Sequence, residues 1–171
     1  MSIQTLTAFY DFEVSPITFD FAVFAILAEM ERRRCGAHTI HFVFVPGAND
    51  RYRSDDIEYD SHNKDWRLRN IILPICSMMP CRTETTSCLT REHAKKIEAN
   101  PDFAPFPQGY RVDAPIGQFG WSSLTAAVAR GESLPTFKGS PQASDYMKRW
   151  LAEHTDNRKA VCITLRESTH Y

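Results

Sequence analysis

Two acids stand where a strand should end. In the run TLTAFYDFEVS, Asp11 and Glu13 follow a stretch of aromatic and β-branched residues. Alternation with period two puts both on the same side of the chain, as paired acceptors for a sugar hydroxyl or a metal. In open α/β sheets, ligands bind at the carboxyl ends of strands, so this tip is the first place to look for chemistry. The competing reading is that the two carboxylates hydrogen-bond loop amides or cap the next helix. Ser15 follows as a candidate helix N-cap and substrate contact. His62 and Asn63, at the end of the long polar run ANDRYRSDDIEYDSHN, are candidate hydrogen-bond donors. Asp11, Glu13 and His62 are the candidate catalytic groups, since a carboxylate or a histidine can take a proton from a substrate hydroxyl. Arg82, Arg166 and Glu167 complete the set as candidate substrate contacts.

The elements that must position these groups alternate in kind. Residues 5–14 read as a buried strand. Residues 15–34 read as an amphipathic helix, with Ser15 as N-cap, Pro16 in the first turn, and Ile17, Phe21, Phe24, Ala25 and Ala28 on one face. Arg32, Arg33 and Arg34 suit the last turn of a helix, and Gly36 suits its stop. Residues 38–45 form a second strand, ended by Pro46 and Gly47; His41 within it reads as a satisfied core or edge histidine. A second helix is expected from 61 or 63 to 76, kinked or shortened by Pro74. A weak third strand is expected over 82–89, and a short helix capped by Thr90 over 90–100. Residues 100–108, rich in proline and phenylalanine, read as a loop whose Phe103 and Phe106 pack down, with a short strand over 110–112. Ser122 or Ser123 can cap a further helix closed by Gly131. Ser140 and Pro141 open the last helix, with Tyr146, Met147, Trp150 and Leu151 on one face. Residues 160–165 read as a further apolar strand.

Strand, helix, strand at the start is the unit that begins a doubly wound sheet. The fold class expected is α/β: a three-layer, Rossmann-like open sheet, mostly parallel, with helices on both faces. The dinucleotide fingerprint GxGxxG is absent, so a tightly held pyrophosphate at the first turn is not expected.

Composition narrows the partners. A chain of 171 residues suffices for one domain able to bury roughly 70% of its unfolded surface. The net charge of −1 provides no global field for nucleic acid. No apolar run approaches the roughly 20 residues that span a bilayer, so no transmembrane segment is expected. The first residues lack the basic region and cleavage site of a secretory signal, and five cysteines with no CxxC suggest reduced thiols and a cytoplasmic location. Cys76, Cys81 and Cys88 have spacings that match no standard zinc site, so no metal is assigned.

The phrases YDFEVSPITFDFAVF, KDWRLRNIILP and VCITLRESTHY resemble bacterial glycosyltransferase-like proteins encoded with surface-polysaccharide genes. Those are similar in plan to two-lobed, Rossmann-like enzymes of the GT-B type, fucosyltransferase-like members included. The resemblance implies that residues 1–171 form one Rossmann-like domain, the first lobe of a two-lobed protein, with 160–171 as the first strand of the second lobe. It implies a nucleotide-sugar donor as substrate, a glycan acceptor and no firm cofactor. It also implies a phosphate role for Arg166, although Thr164, Leu165, Arg166 and Glu167 stand where such proteins usually carry HxRR. Two alternatives belong to other classes. One is a non-catalytic α/β module that binds a carbohydrate or a protein. The other is a Mg-dependent phosphohydrolase of the haloacid dehalogenase type: DFEVS echoes its DxDxT motif, with Asp11 as nucleophile, but with Glu13 and Ser15 in place of the second Asp and the Thr.

Overall fold

A computed structural model describes residues 4–47, 61–100, 104–117, 120–156 and 158–159. The chain divides into a unit of residues 1–138 and a smaller one of residues 139–171. The first unit is α/β. Its elements are β1 (Thr5–Asp11), α1 (Phe21–Cys35), β2 (Thr39–Val45), α2 (Ser61–Arg67), a π turn (Leu68–Ile72), α3 (Leu73–Ser77), β3 (Arg82–Ser87), α4 (Arg91–Glu98), β4 (Ala104–Phe106) and α5 (Trp121–Ala129). The four strands form one open, all-parallel sheet in the order β3-β2-β1-β4. The chain winds from β1 outward to β3 and then crosses back past β1 to β4. This places a topological switch point between β1 and β4.

Both faces of the central strands are buried, as parallel sheets require. Leu6, Ala8 and Tyr10 of β1 and Ile40, Phe42 and Phe44 of β2 face one way. They meet Phe21, Phe24 and Ala28 of α1, and Ile72, Ile75 and Cys76 from the π turn and α3. Phe9, Val43 and Val45 face the other way, against Ala94 of α4 and Tyr110 and Val112. Helices therefore cover both faces, giving the expected three layers. His41 shares the α4-facing side and pairs through Nε2 with Thr86 Oγ1 of β3 at 2.8 Å. Desolvation holds its pKa below the ordinary histidine value, against the nearby Glu84 charge, which raises it.

Several boundaries differ from the sequence reading. The first helix begins at Phe21, not at Ser15. The Tyr10 hydroxyl donates to the Pro16 carbonyl at 2.6 Å, and Arg67 donates to the Ile17 carbonyl at 3.3 Å. Those bonds tie residues 15–17 into a turn before helical bonding can start. Ile17 is nevertheless in the core, as its spacing predicts. At the other end Gly36 is left-handed at φ 72°, and Ala37 and Gly36 donate to the Arg32 and Arg33 carbonyls, the paired bonds of a Schellman stop.

The expected second helix runs without a gap over 61–77, with a π turn inside it. Pro74 has no N–H to give the Asn70 carbonyl, and the turn before it widens to π geometry, with Leu73 bonding Leu68 instead. β4 lies where a loop was expected. Pro105 cannot donate to a ladder, but this strand pairs β1 on one side, where proline is tolerated. Residues 110–112 form no strand of the sheet; Arg111 makes only an isolated bridge to Ala114. α5 starts at Trp121, with Ser122 and Ser123 inside it rather than capping, while Gly131 closes it at φ 74°. Thr90 caps α4 by accepting from the His93 N–H. In the smaller unit, Ser140 caps α6 (Pro141–His154) by accepting from Ala143. Phe106 is buried as expected. Phe103 and the strand expected over 160–165 lie outside the described residues.

Candidate functional site

The carboxyl edge of the sheet is organised around Asp11. β1 delivers it to the switch point on the α4-facing side, with its side chain fully buried. Its two oxygens accept four hydrogen bonds. Arg91 Nη1 donates to Oδ1 at 3.0 Å and Nη2 to Oδ2 at 2.9 Å. The Tyr110 hydroxyl donates to Oδ2 at 2.6 Å, and the Glu13 N–H to Oδ1 at 2.9 Å. Arg91 also donates to the Pro46 carbonyl at 2.8 Å and to the Val112 carbonyl. One guanidinium thus joins the ends of β1 and β2, the start of α4 and the segment after β4.

The electrostatics follow from this geometry. Burial works against the Arg91 charge, but the hydrogen bonds and charge of Asp11 outweigh it and hold the pKa above the ordinary arginine value. Burial, then the hydrogen bond and charge of Asp11, push the Tyr110 phenol well above its usual range. The bidentate pair with added neutral donors satisfies the acceptor positions of this buried carboxylate. It has no unfilled acceptor direction to offer a substrate. Both readings of Asp11, as ligand-facing acid and as binder of loop amides, were open from sequence. The geometry shows the second, extended by a partner 80 residues away.

The other predicted residues separate. Glu13 is half-buried beside this network and close enough to Arg91 for its charge to favour the guanidinium. Ser15 is buried and its N–H donates to the Asp11 carbonyl at 2.9 Å, closing the turn. Asn63 is exposed on α2, where its Oδ1 accepts from Arg67 at 3.3 Å. Arg82 stands at the opposite pole: it pairs in register with Thr39, whereas Asp11 pairs with Val45. Six residues of strand are roughly 20 Å, so Arg82 and Asp11 cannot share one ligand contact. Its side chain is exposed and pairs with Glu84 at 3.3 Å. The His62 side chain, Arg166 and Glu167 lie outside the described residues.

Sequence reasoning missed Arg91 and Tyr110. Arg91 carried a signal: a cation directly after the Thr90 cap sits at the positive end of a helix dipole, where cations are disfavoured. Such a placement calls for an acidic partner elsewhere. Tyr110 carried no local signal.

Around the edge, Phe12, Phe44, Pro46, Asp65, Leu68 and Ser87 line a cavity of about 60 Å³. Small-molecule sites run from about 300 to 1,000 Å³. This cavity, at the tips of β1 and β2, is therefore too small for a nucleotide. No group of three or more His, Cys, Asp or Glu side chains able to hold a metal occurs among them. No described helix is long and apolar enough to cross a membrane.

Compared with models of protein families, with curated proteins and with solved structures, the chain matches none.

Proposed function

We propose that this chain is a substrate-binding lobe of a nucleotide-sugar-dependent glycosyltransferase acting in polysaccharide or glycan biosynthesis. The observation that carries the reading is the occupied state of Asp11. A parallel, doubly wound sheet aims its strand tips at a ligand edge, yet the central acid there is consumed by Arg91, Tyr110 and the Glu13 N–H. The edge is built to be rigid, and catalytic groups must come from around it. Glu13, half-buried beside Asp11 and Arg91, is the acid assigned to accept the proton of an acceptor hydroxyl. Arg166, by the family resemblance, would neutralise the departing diphosphate.

The same observation counts against the phosphohydrolase reading. A nucleophilic aspartate needs a free oxygen facing the phosphorus, and each Asp11 oxygen already accepts two donors. It is also compatible with a binding module that performs no turnover.

The test is a thermal-shift series with nucleoside diphosphates and their sugars. A ligand at ten times Kd stabilises the native state by RT ln 11, about 1.4 kcal/mol. For a chain of this size that raises the midpoint by about 3–6 °C. No shift with any nucleotide or nucleotide sugar at millimolar concentration would overturn the proposal. Transfer or hydrolysis of a nucleotide sugar by the purified chain would exclude the non-catalytic module.

A further inference from the structure

The sheet ends on β4 at one edge and on β3 at the other, and the two edges are finished differently. Backbone groups alternate in direction along a strand, so one hydrogen bond fixes the facing of every residue in it. The Phe12 N–H donates to the Val45 carbonyl at 2.9 Å, which turns even-numbered β1 residues toward β2 and Thr7 toward β4. Thr7 pairs with Pro105 in parallel register, so it bonds the residues on either side, Ala104 and Phe106. Pro105 therefore faces outward and offers no donor. A short edge strand with an outward proline is closed to further pairing.

β3 is finished the opposite way. Phe44 pairs with Ser87, and its carbonyl accepts from the Cys88 N–H at 2.9 Å. Arg82, Glu84 and Thr86 thus turn their backbone groups to β2, while Thr83, Thr85 and Ser87 turn theirs outward. Thr85 and Ser87 are exposed and Thr83 is half-buried. The Thr83 hydroxyl is occupied, donating to the Cys76 carbonyl at 3.1 Å, but its N–H and carbonyl remain on the rim. Among the described residues, no backbone bond outside the sheet reaches this row. An unblunted row of donors and acceptors is a template for another strand.

Register and charge narrow what fits it. Two copies of one edge pair antiparallel about a twofold axis. An axis at Thr85 sets Thr85 against Thr85 of the second copy and Thr83 against its Ser87, so every outward group is bonded. An axis at Glu84 would oppose two carboxylates, and one at Thr83 would leave Ser87 beyond the end of the facing strand. Threonine and serine are favourable cross-strand neighbours. The charges beside them, Arg82 and Glu84, pair within their own chain at 3.3 Å, so the edge meets its copy without net charge. We propose that β3 pairs with β3 of a second copy of this chain, joining two four-stranded sheets into one across Thr85. A contact of this length buries little area, so the dimer is weak and concentration-dependent. It is independent of the transferase reading, since no nucleotide or sugar takes part.

Sedimentation equilibrium from micromolar to millimolar chain should show the mass rising from one chain toward two. Amide exchange should find Glu84 and Thr86 protected at every concentration, and Thr83, Thr85 and Ser87 protected only as the dimer forms. Thr85→Pro removes one outward N–H, as Pro105 does at the other edge, and should keep the chain folded and monomeric. Thr85→Lys sets two ammonium groups at the twofold and should weaken association by about tenfold in low salt, less in high salt. If Thr85→Pro does not fold, Thr85→Lys decides. A single-chain mass at every concentration would overturn the proposal, as would association unchanged in Thr85→Lys. Protection of the outward amides at single-chain mass would show another strand on this edge and overturn it too.

Discussion

Replacing Asp11 by alanine should damage stability far more than its single side chain suggests. The change strands the Arg91 guanidinium, whose side chain is only 24% exposed, and removes the acceptor of the Tyr110 hydroxyl. Breaking a buried pair by removing one partner costs about 3–5 kcal/mol, because the remaining charge stays desolvated. That is a large part of the about 5–15 kcal/mol that holds a domain of this kind. With a urea slope near 2 kcal/mol/M, the unfolding midpoint should fall by about 2 M. A double-mutant cycle with Arg91→Met isolates the pair. Once Asp11 is gone, removing the charge of Arg91 should recover stability, and the coupling should lie near the upper end of measured values, about 2–3 kcal/mol. If Asp11→Ala costs less than about 1 kcal/mol, the carboxylate is not the internal anchor described here. If it instead abolishes phosphate-ester hydrolysis at unchanged stability, Asp11 is a nucleophile and the assignment of its role is wrong.

Glu29, buried on α1 and bonded by Arg32 and Arg33, should govern part of the acid limb. Burial raises its pKa, but the hydrogen bonds from Arg32, Arg33 and Cys81 overcome this and hold it below 4.5. Its contribution is therefore full above the unfolded value of about 4.5 and is lost as pH falls through the lower folded one. Glu29→Gln should lower the thermal midpoint at neutral pH and flatten the wild-type decline below pH 4.5; equal slopes would contradict this. Gly36→Ala meets no neighbouring atom but forces a side chain into φ 72°. It should cost about 1–2 kcal/mol by urea unfolding, from backbone conformation alone. Burial pushes the Cys76 and Cys81 thiols up to about 12 and Cys88 up to about 11. At pH 8 iodoacetamide should therefore leave these three unmodified in the native chain and label them after unfolding, as read by peptide mass spectrometry.

The sheet was legible before any coordinates because its determinants are local. Runs of aromatic and β-branched residues over 5–11 and 39–45, helical spacing of Phe21, Phe24 and Ala28, and a glycine stop at position 36 each act within a few residues of chain. Pro74 was equally legible as a disruption, since a missing N–H has one effect wherever it occurs. Local pattern failed where a distant group outbid it. Ser15 has the right chemistry for a cap, but Tyr10 and Arg67 hold the following carbonyls and delay the helix to Phe21. Residues 104–106 look like loop, and only the free edge of β1 makes them a strand. The role of Asp11 was the deepest case. Its residue type and its place at a strand tip were plain from the chain, but whether that charge faces a ligand or the interior depends on Arg91 and Tyr110, 80 and 99 residues away. An acid is reactive or spent according to which donors reach it first, and only packing decides that.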